Sequence, residues 1–315
     1  MIVITENIKI SLSILVAVII SVFIFFLVMI SLPDDLFQIY QEFFSKDLGD
    51  GNKIFILGSS HVFAINPIII SEKLKQNNYD FDVYNLASPG DDFEERARSI
   101  NMIIEKKPKI IIIGIEPRSF ESNGRSITLP PESPLPNIPS FNKIFQIVDL
   151  GDKKGIFENP KFAIIRTISS PLNIDKINTQ YTPFFQLDAN DESIIPFTEL
   201  NKIQPEYVAQ INPIENNSNL ISLRNFISEL ENNNIKVILF ITPHSKIYLD
   251  LYPQKQSEIF FDIIDFLSKN NQVYSLYEKY SELNVWHDHT HLAVNKNSNF
   301  YSNDIADLII AELKN

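Results

Sequence analysis

Two stretches far apart in the chain hold residue types that could do nucleophilic and acid–base chemistry together. The first is KIFILGSSH at 53–61, where four apolar β-formers end at Gly58 and deliver Ser59, Ser60 and His61. The second is WHDHTHL at 286–292, where Asp288 precedes His291 by three residues. A carboxylate at that spacing can bond the imidazole Nδ1 and hold the tautomer whose Nε2 accepts a proton from a serine hydroxyl. Ser60 is the partner that such a histidine needs. A plainer reading of the first stretch is that Ser59 and Ser60 only cap the next helix. Metal binding is the rival chemistry, since all five histidines (His61, His244, His287, His289, His291) fall in loops that would follow strands. Alternation at 287, 289 and 291 could set three imidazoles on one face of an extended segment, as zinc sites use. The Asp288–His291 pairing already employs that segment, so neither metal nor cofactor is expected.

Positions 60 and 288–291 must then be brought together by the fold. Residues 54–57 read as a central parallel strand, because strands covered on both faces are continuously apolar. Ligands bind at the carboxyl ends of such strands. Further strands are expected at 81–86, 109–114, 235–241 and 273–276, alternating with helices near 67–76, 91–106, 219–233, 254–270 and 299–313. Short connections between them imply a parallel sheet with right-handed crossovers. The expectation is an α/β, flavodoxin-like three-layer sandwich with a five-stranded parallel sheet, whose first strand and last helix meet at the top. An irregular insertion at about 121–219 breaks the alternation. It is proline-rich at 129–139, with short apolar pieces at 141–150 and 162–168, and reads as a lid, a binding surface or a small subdomain.

Composition narrows the partners. The 315 residues carry a formal charge of -12 and a pI of about 4.9, which argues against nucleic acid. The absence of cysteine excludes disulfides, thiolate metal sites and a cysteine nucleophile. Ile10–Leu32 contains no charged residue and is long enough to cross a hydrocarbon core of about 30 Å as a helix. Bulky residues run to its end, where a cleaved signal peptide would have small ones. An uncleaved single-pass anchor is expected. Lys9 before it and Asp34 and Asp35 after it place the remainder outside the cytoplasm. The chain thus divides into a cytoplasmic stub and transmembrane anchor at 1–33, an amphipathic linker helix and turn at 34–52, and an extracytoplasmic domain at 53–315.

Gly58-Ser59-Ser60, Asn85-Leu86-Ala87-Ser88-Pro89-Gly90-Asp91 and Asp288-His289-Thr290-His291, in that order, resemble motif blocks of the SGNH (GDSL-type) esterase and acyltransferase superfamily. The resemblance covers 53–120 and 235–315. It implies Ser60 as nucleophile, His291 as general base, Asp288 as its orienting acid, and the N–H groups of Ser60 and Gly90 as oxyanion donors. The Gly-Ser-Ser variant after an N-terminal anchor resembles the membrane-tethered members that modify cell envelopes. That implies an O-acylated glycan or polymer as substrate, hydrolysed or transferred, and a membrane-bound O-acyltransferase as partner.

One block departs. The family has Gly-x-Asn-Asp after the third strand, and its asparagine amide is another oxyanion donor; here the chain reads Gly114-Ile115-Glu116-Pro117, then Arg118. A glutamate donates only when protonated. Two substitutes suggest themselves: Glu116 kept protonated by burial, or Arg118. His61 is expected beside the site or facing substrate, and His244 to line the pocket or to be an ordinary loop histidine. The departure leaves room for a second function, a catalytically degenerate SGNH fold that binds a glycan or an O-acyltransferase partner.

Overall fold

A nearly unbroken β-branched sequence decides the centre of the molecule. In this computed structural model, which describes residues 14–22, 36–88, 90–91, 93–121, 193–202 and 210–314, Ile110–Ile115 is a strand buried at every position. It is β3 of a five-stranded, wholly parallel sheet ordered β2-β1-β3-β4-β5. The others are β1 (Lys53–Leu57), β2 (Asp82–Asn85), β4 (Lys236–Ile241) and β5 (Val273–Ser275). Register is set by pairs such as Phe55↔Tyr84, Phe55↔Ile111 and Ile113↔Leu239. The predicted strands all form, within a residue or two of their expected ends.

The helices are α1 (Leu36–Ser45), α2 (Pro67–Gln76), α3 (Phe93–Arg98), α4 (Ile100–Glu105), α5 (Phe197–Leu200), α6 (Ser218–Asn232), α7 (Lys246–Leu251), α8 (Gln254–Ser268) and α9 (Asn299–Lys314). The last of them, α9, packs on α2, while α6 and α1 pack on α3 and α4. Local chemistry sets their ends. Asn66 caps α2 by accepting the Ile68 N–H at 2.9 Å, with Pro67 pre-set for the first turn. Asn217 caps α6 through the Leu220 N–H at 2.9 Å, and its amide also donates to the Phe120 carbonyl at 2.9 Å.

The single helix expected over 91–106 is divided. Ser99 (φ −91°, ψ 0°) separates α3 from α4, because its hydroxyl donates to the Arg96 carbonyl at 2.8 Å and competes with the helical ladder. The amphipathic helix expected at 34–46 forms as α1 and packs against the sheet. Phe44 meets Phe55 at 5.9 Å between ring centroids, Phe43 meets Tyr84 at 6.1 Å, and the Tyr40 hydroxyl donates to the Leu86 carbonyl at 2.6 Å. Burying a phenylalanine is worth about 1.5–3 kcal/mol.

The sheet and these helices belong to one of two units, Leu36–Ile127 with Ile177–Asn315; the other is Met1–Asp35 with Thr128–Lys176. Of the latter only 14–22 are described, as a helix with exposed apolar side chains including Ile14, Leu15 and Ile19. Among the described residues no helix is long and apolar enough to cross a membrane. The anchor expected at Ile10–Leu32 lies mostly outside them, as do most of the insertion and its apolar pieces at 141–150 and 162–168.

Candidate active site

The carboxyl end of β1 makes a turn that only certain residues permit. Gly58 has φ +145°, a conformation L side chains rarely adopt, and a Cβ there would lie 2.6 Å from Val62 Cγ2. A Cβ on Gly114 at the end of β3 would also lie 2.6 Å from Val62 Cγ2, and 2.9 Å from Phe240 Cζ. The two glycines therefore admit the buried Val62 side chain over the sheet. That seats the 3₁₀ turn Ser60–Val62, with the Ser59 carbonyl accepting the Val62 N–H at 3.0 Å.

The second half of the site is a tight loop after β5. Fully buried Trp286 bridges to Leu292, and the His287 N–H reaches the His291 carbonyl at 2.9 Å. Within the loop, Asp288 Oδ1 accepts the N–H groups of Thr290 and His291, both at 2.7 Å, an arrangement of the Asx-turn kind. Its other oxygen, Oδ2, is then free to meet the His291 ring, 2.7 Å from Nδ1. On the far side of that ring, Nε2 lies 2.7 Å from Ser60 Oγ, across 231 residues of sequence. This is a serine–histidine–aspartate triad.

Asp288 is held ionised. Burial would raise its pKa, but the hydrogen bond and charge of His291, with the two backbone donors, hold the carboxyl well below the usual carboxylate range. The loop after β2, which carries Gly90, is tied to the nucleophile turn. There Asn85 donates to the carbonyls of Val62 at 3.0 Å and Ile65 at 2.9 Å, and the Ser88 N–H donates to the Gly58 carbonyl at 3.0 Å. Gly90 itself is exposed at φ +61°, and a Cβ there would meet nothing within 4 Å among the described residues, so conformation rather than crowding selects glycine. Buried Arg96 braces the same loop, paired with Asp91 and donating to the Leu86 carbonyl at 3.2 Å, its guanidinium 4.7 Å from the Tyr40 ring centroid.

Glu116 does not behave as a protonated donor. It is 3% exposed, receives the Ser59 hydroxyl, and lies 2.8 Å from His61 Nδ1 and 4.0 Å from His244 Nε2. Burial alone would raise its pKa, as the sequence suggested. His61, with the Ser59 hydroxyl, outweighs burial and brings it down to about 2, which corrects that expectation. Arg118 stands exposed on the turn after Glu116. His61 is buried and stacks on the His291 ring, with centroids 4.2 Å apart and planes at 30°. Burial lowers the His61 pKa in spite of Glu116.

His244 is not an ordinary loop histidine. It is 1% exposed, stacks on Tyr248 at 5.0 Å, and has its pKa pushed down to about 3 by burial and by His61. The rival three-histidine face is not assembled. His287 Nδ1 lies 3.2 Å from the Ser193 carbonyl, His289 Nε2 lies 3.0 Å from the Leu200 carbonyl, and His291 serves the triad. The Asp288 turn breaks the extended alternation that such a face would need. Sequence reasoning missed the Ser59–Glu116–His61 linkage and the Arg96–Asp91 brace. An acidic residue closing an otherwise apolar strand was the available signal for the first.

No protein-family model matches the chain, and no curated protein is similar to it. Among solved structures it is similar to a putative acylhydrolase from Bacteroides fragilis, with 11% identity, 89% of this chain and 99% of that one covered, and a TM-score of 0.44. A GDSL-like lipase from Bacteroides thetaiotaomicron gives 9% identity, coverages of 88% and 96%, and a TM-score of 0.41. An acetyl xylan esterase gives 12% identity, coverages of 82% and 99%, and a TM-score of 0.41. Likenesses this loose carry no functional weight. The triad stands on its own atoms.

Proposed function

We propose that this chain is a serine esterase of the SGNH type. The observation that carries the reading is the continuous contact from Ser60 Oγ through His291 to Asp288, each step 2.7 Å. Ser60 Oγ attacks an ester carbonyl while His291 Nε2 takes its proton. The N–H groups of Ser60 and Gly90 would hold the developing oxyanion, as the family resemblance implies, and His291 returns the proton to the leaving alcohol. Water, activated by the same imidazole, then releases the acid and frees Ser60. Were a sugar hydroxyl to replace water, the product would be a transferred acyl group.

An O-acyl group on an envelope glycan or polymer is the substrate class we favour, with a membrane-bound O-acyltransferase as partner. The motif order and the uncharged run Ile10–Leu32 support this reading, with the run as a single-pass anchor and the domain outside the cytoplasm. A fluorophosphonate probe and a small aryl acetate test the chemistry. Wild type is expected to label and turn over, and Ser60→Ala to do neither while remaining folded. Labelling that persists in Ser60→Ala would move the nucleophile elsewhere.

One observation favours a second reading, a glycan-binding or partner-binding domain without turnover. Glu116 puts a carboxylate where the family has an amide donor. A wild-type chain that neither labels nor hydrolyses, yet binds acylated glycan as well as Ser60→Ala does, would decide for the binder.

A further inference from the structure

Behind the triad lies a second cluster that acyl-group chemistry does not use. His61, Glu116 and His244 follow the ends of three adjacent strands, β1, β3 and β4, and are 5%, 3% and 1% exposed. Each offers one ligand atom, and these atoms all lie within 4.8 Å of one another. Two imidazoles and a carboxylate form a donor set suited to zinc.

The protonation pattern singles out this cluster. His244 Nδ1 lies 3.1 Å from the Thr242 carbonyl oxygen, which can only accept, so Nδ1 carries the proton and Nε2 presents a lone pair. That Nε2 is buried, has no hydrogen-bond partner among the described residues, and faces Glu116 Oε2 at 4.0 Å. Two buried acceptors facing each other are unfavourable unless a cation or a donor stands between them. A ring nitrogen fixed by a backbone carbonyl, with the other nitrogen turned inward, is how proteins orient a metal-ligating histidine. The Ser59 hydroxyl orients the Glu116 carboxylate in the same manner. His61 Nδ1 lies 2.8 Å from the other carboxylate oxygen, so it is this nitrogen that faces the cluster, while Nε2 on the opposite side of the ring is buried with no partner among the described residues.

We propose that His61, Glu116 and His244 bind one divalent transition cation, zinc by the chemistry of the ligands. It ties together the ends of β1, β3 and β4 and fixes His61, and through the stacked rings His291. The ion is structural. It takes no part in the acyl steps, and the proposal does not depend on esterase activity. It is also distinct from the three-histidine face of 287, 289 and 291.

The test uses the full-length chain, purified in detergent, stripped with a strong chelator, and titrated with zinc and with cobalt(II). Wild type and Ser60→Ala are both expected to take up one zinc per chain, to give a cobalt(II) visible spectrum with nitrogen and oxygen ligation, and to melt higher when loaded. His244→Gln and His61→Gln are expected to bind at least about tenfold more weakly. Melting of the metal-free variants shows whether they are folded. If they are not, the cobalt(II) spectrum of wild type decides alone. Failure of wild type to bind, a cobalt(II) spectrum of the hydrated ion, or equal binding by folded His244→Gln would each overturn the proposal. Binding by an inactive wild type would leave it standing and sink only the esterase reading.

Discussion

Glu116 shows how neighbours outweigh burial at a single residue. Its carboxylate accepts from the Ser59 hydroxyl and from His61, so Glu116→Ala would leave these two groups only their own 3.0 Å contact and at least one donor without an acceptor. Each orphaned group costs about 1–3 kcal/mol, and urea unfolding should record the loss. Acid stability follows from the same pair of facts. His244 falls from 6.5 to about 3 on folding and Glu116 from 4.5 to about 2, so the unfolded chain takes up protons first at both sites. Both contributions are complete above about pH 6.5 and are lost as pH falls, through His244 first and then through Glu116 between pH 4.5 and about 2. In the metal-free chain, melting temperature measured against pH should decline below 6.5, and Glu116→Gln should flatten the lower part of that decline. Asp288→Asn should leave the fold intact and lower kcat by about 10⁴, because the wrong tautomer of His291 is then held. Activity within about tenfold of wild type would remove Asp288 from the triad.

Elements decide whether Ser60 is presented at all. Val62 is lodged against both Gly58 and Gly114, so the nucleophile turn depends on two strands having no side chain at their ends. Gly114→Ala should destabilise by about 1–3 kcal/mol through overpacking and should lower esterase turnover. Adding Val62→Ala should recover part of the stability, a coupling that a double-mutant cycle reads directly. Purely additive effects would mean that Val62 does not transmit the strain. The strands themselves were legible because β1 and β3 are nearly unbroken apolar runs, a pattern with few alternatives. The break at Ser99 was not, since it arises from a serine hydroxyl bonding the Arg96 carbonyl rather than from proline or glycine. The reading of His244 as an ordinary loop histidine fails for a related reason. A loop position carries no periodicity, so nothing in Thr242-Pro243-His244 announces that the ring is packed against Tyr248.

For the molecule as a whole, the three triad residues were readable because their order and spacing leave little freedom once the sheet is parallel. The Glu116 network was not, since it joins three strand ends whose proximity depends on the strand order. The proposed anchor makes its own prediction. The full-length chain should sediment with membranes and resist extraction at high pH, and protease added to intact cells should digest the domain. Extraction by carbonate would overturn the anchor.

The sequence separation of 231 from Ser60 to His291 also imposes a schedule on synthesis. A ribosome adding about 5–20 residues per second releases the serine roughly 10–50 s before its base exists. Throughout that interval the nascent chain carries a nucleophile with nothing to take its proton, and any product stopping short of residue 291 stays permanently in that condition. The enzyme proposed here would therefore be inert until its final helix is being made, with timing alone protecting acyl esters met on the way.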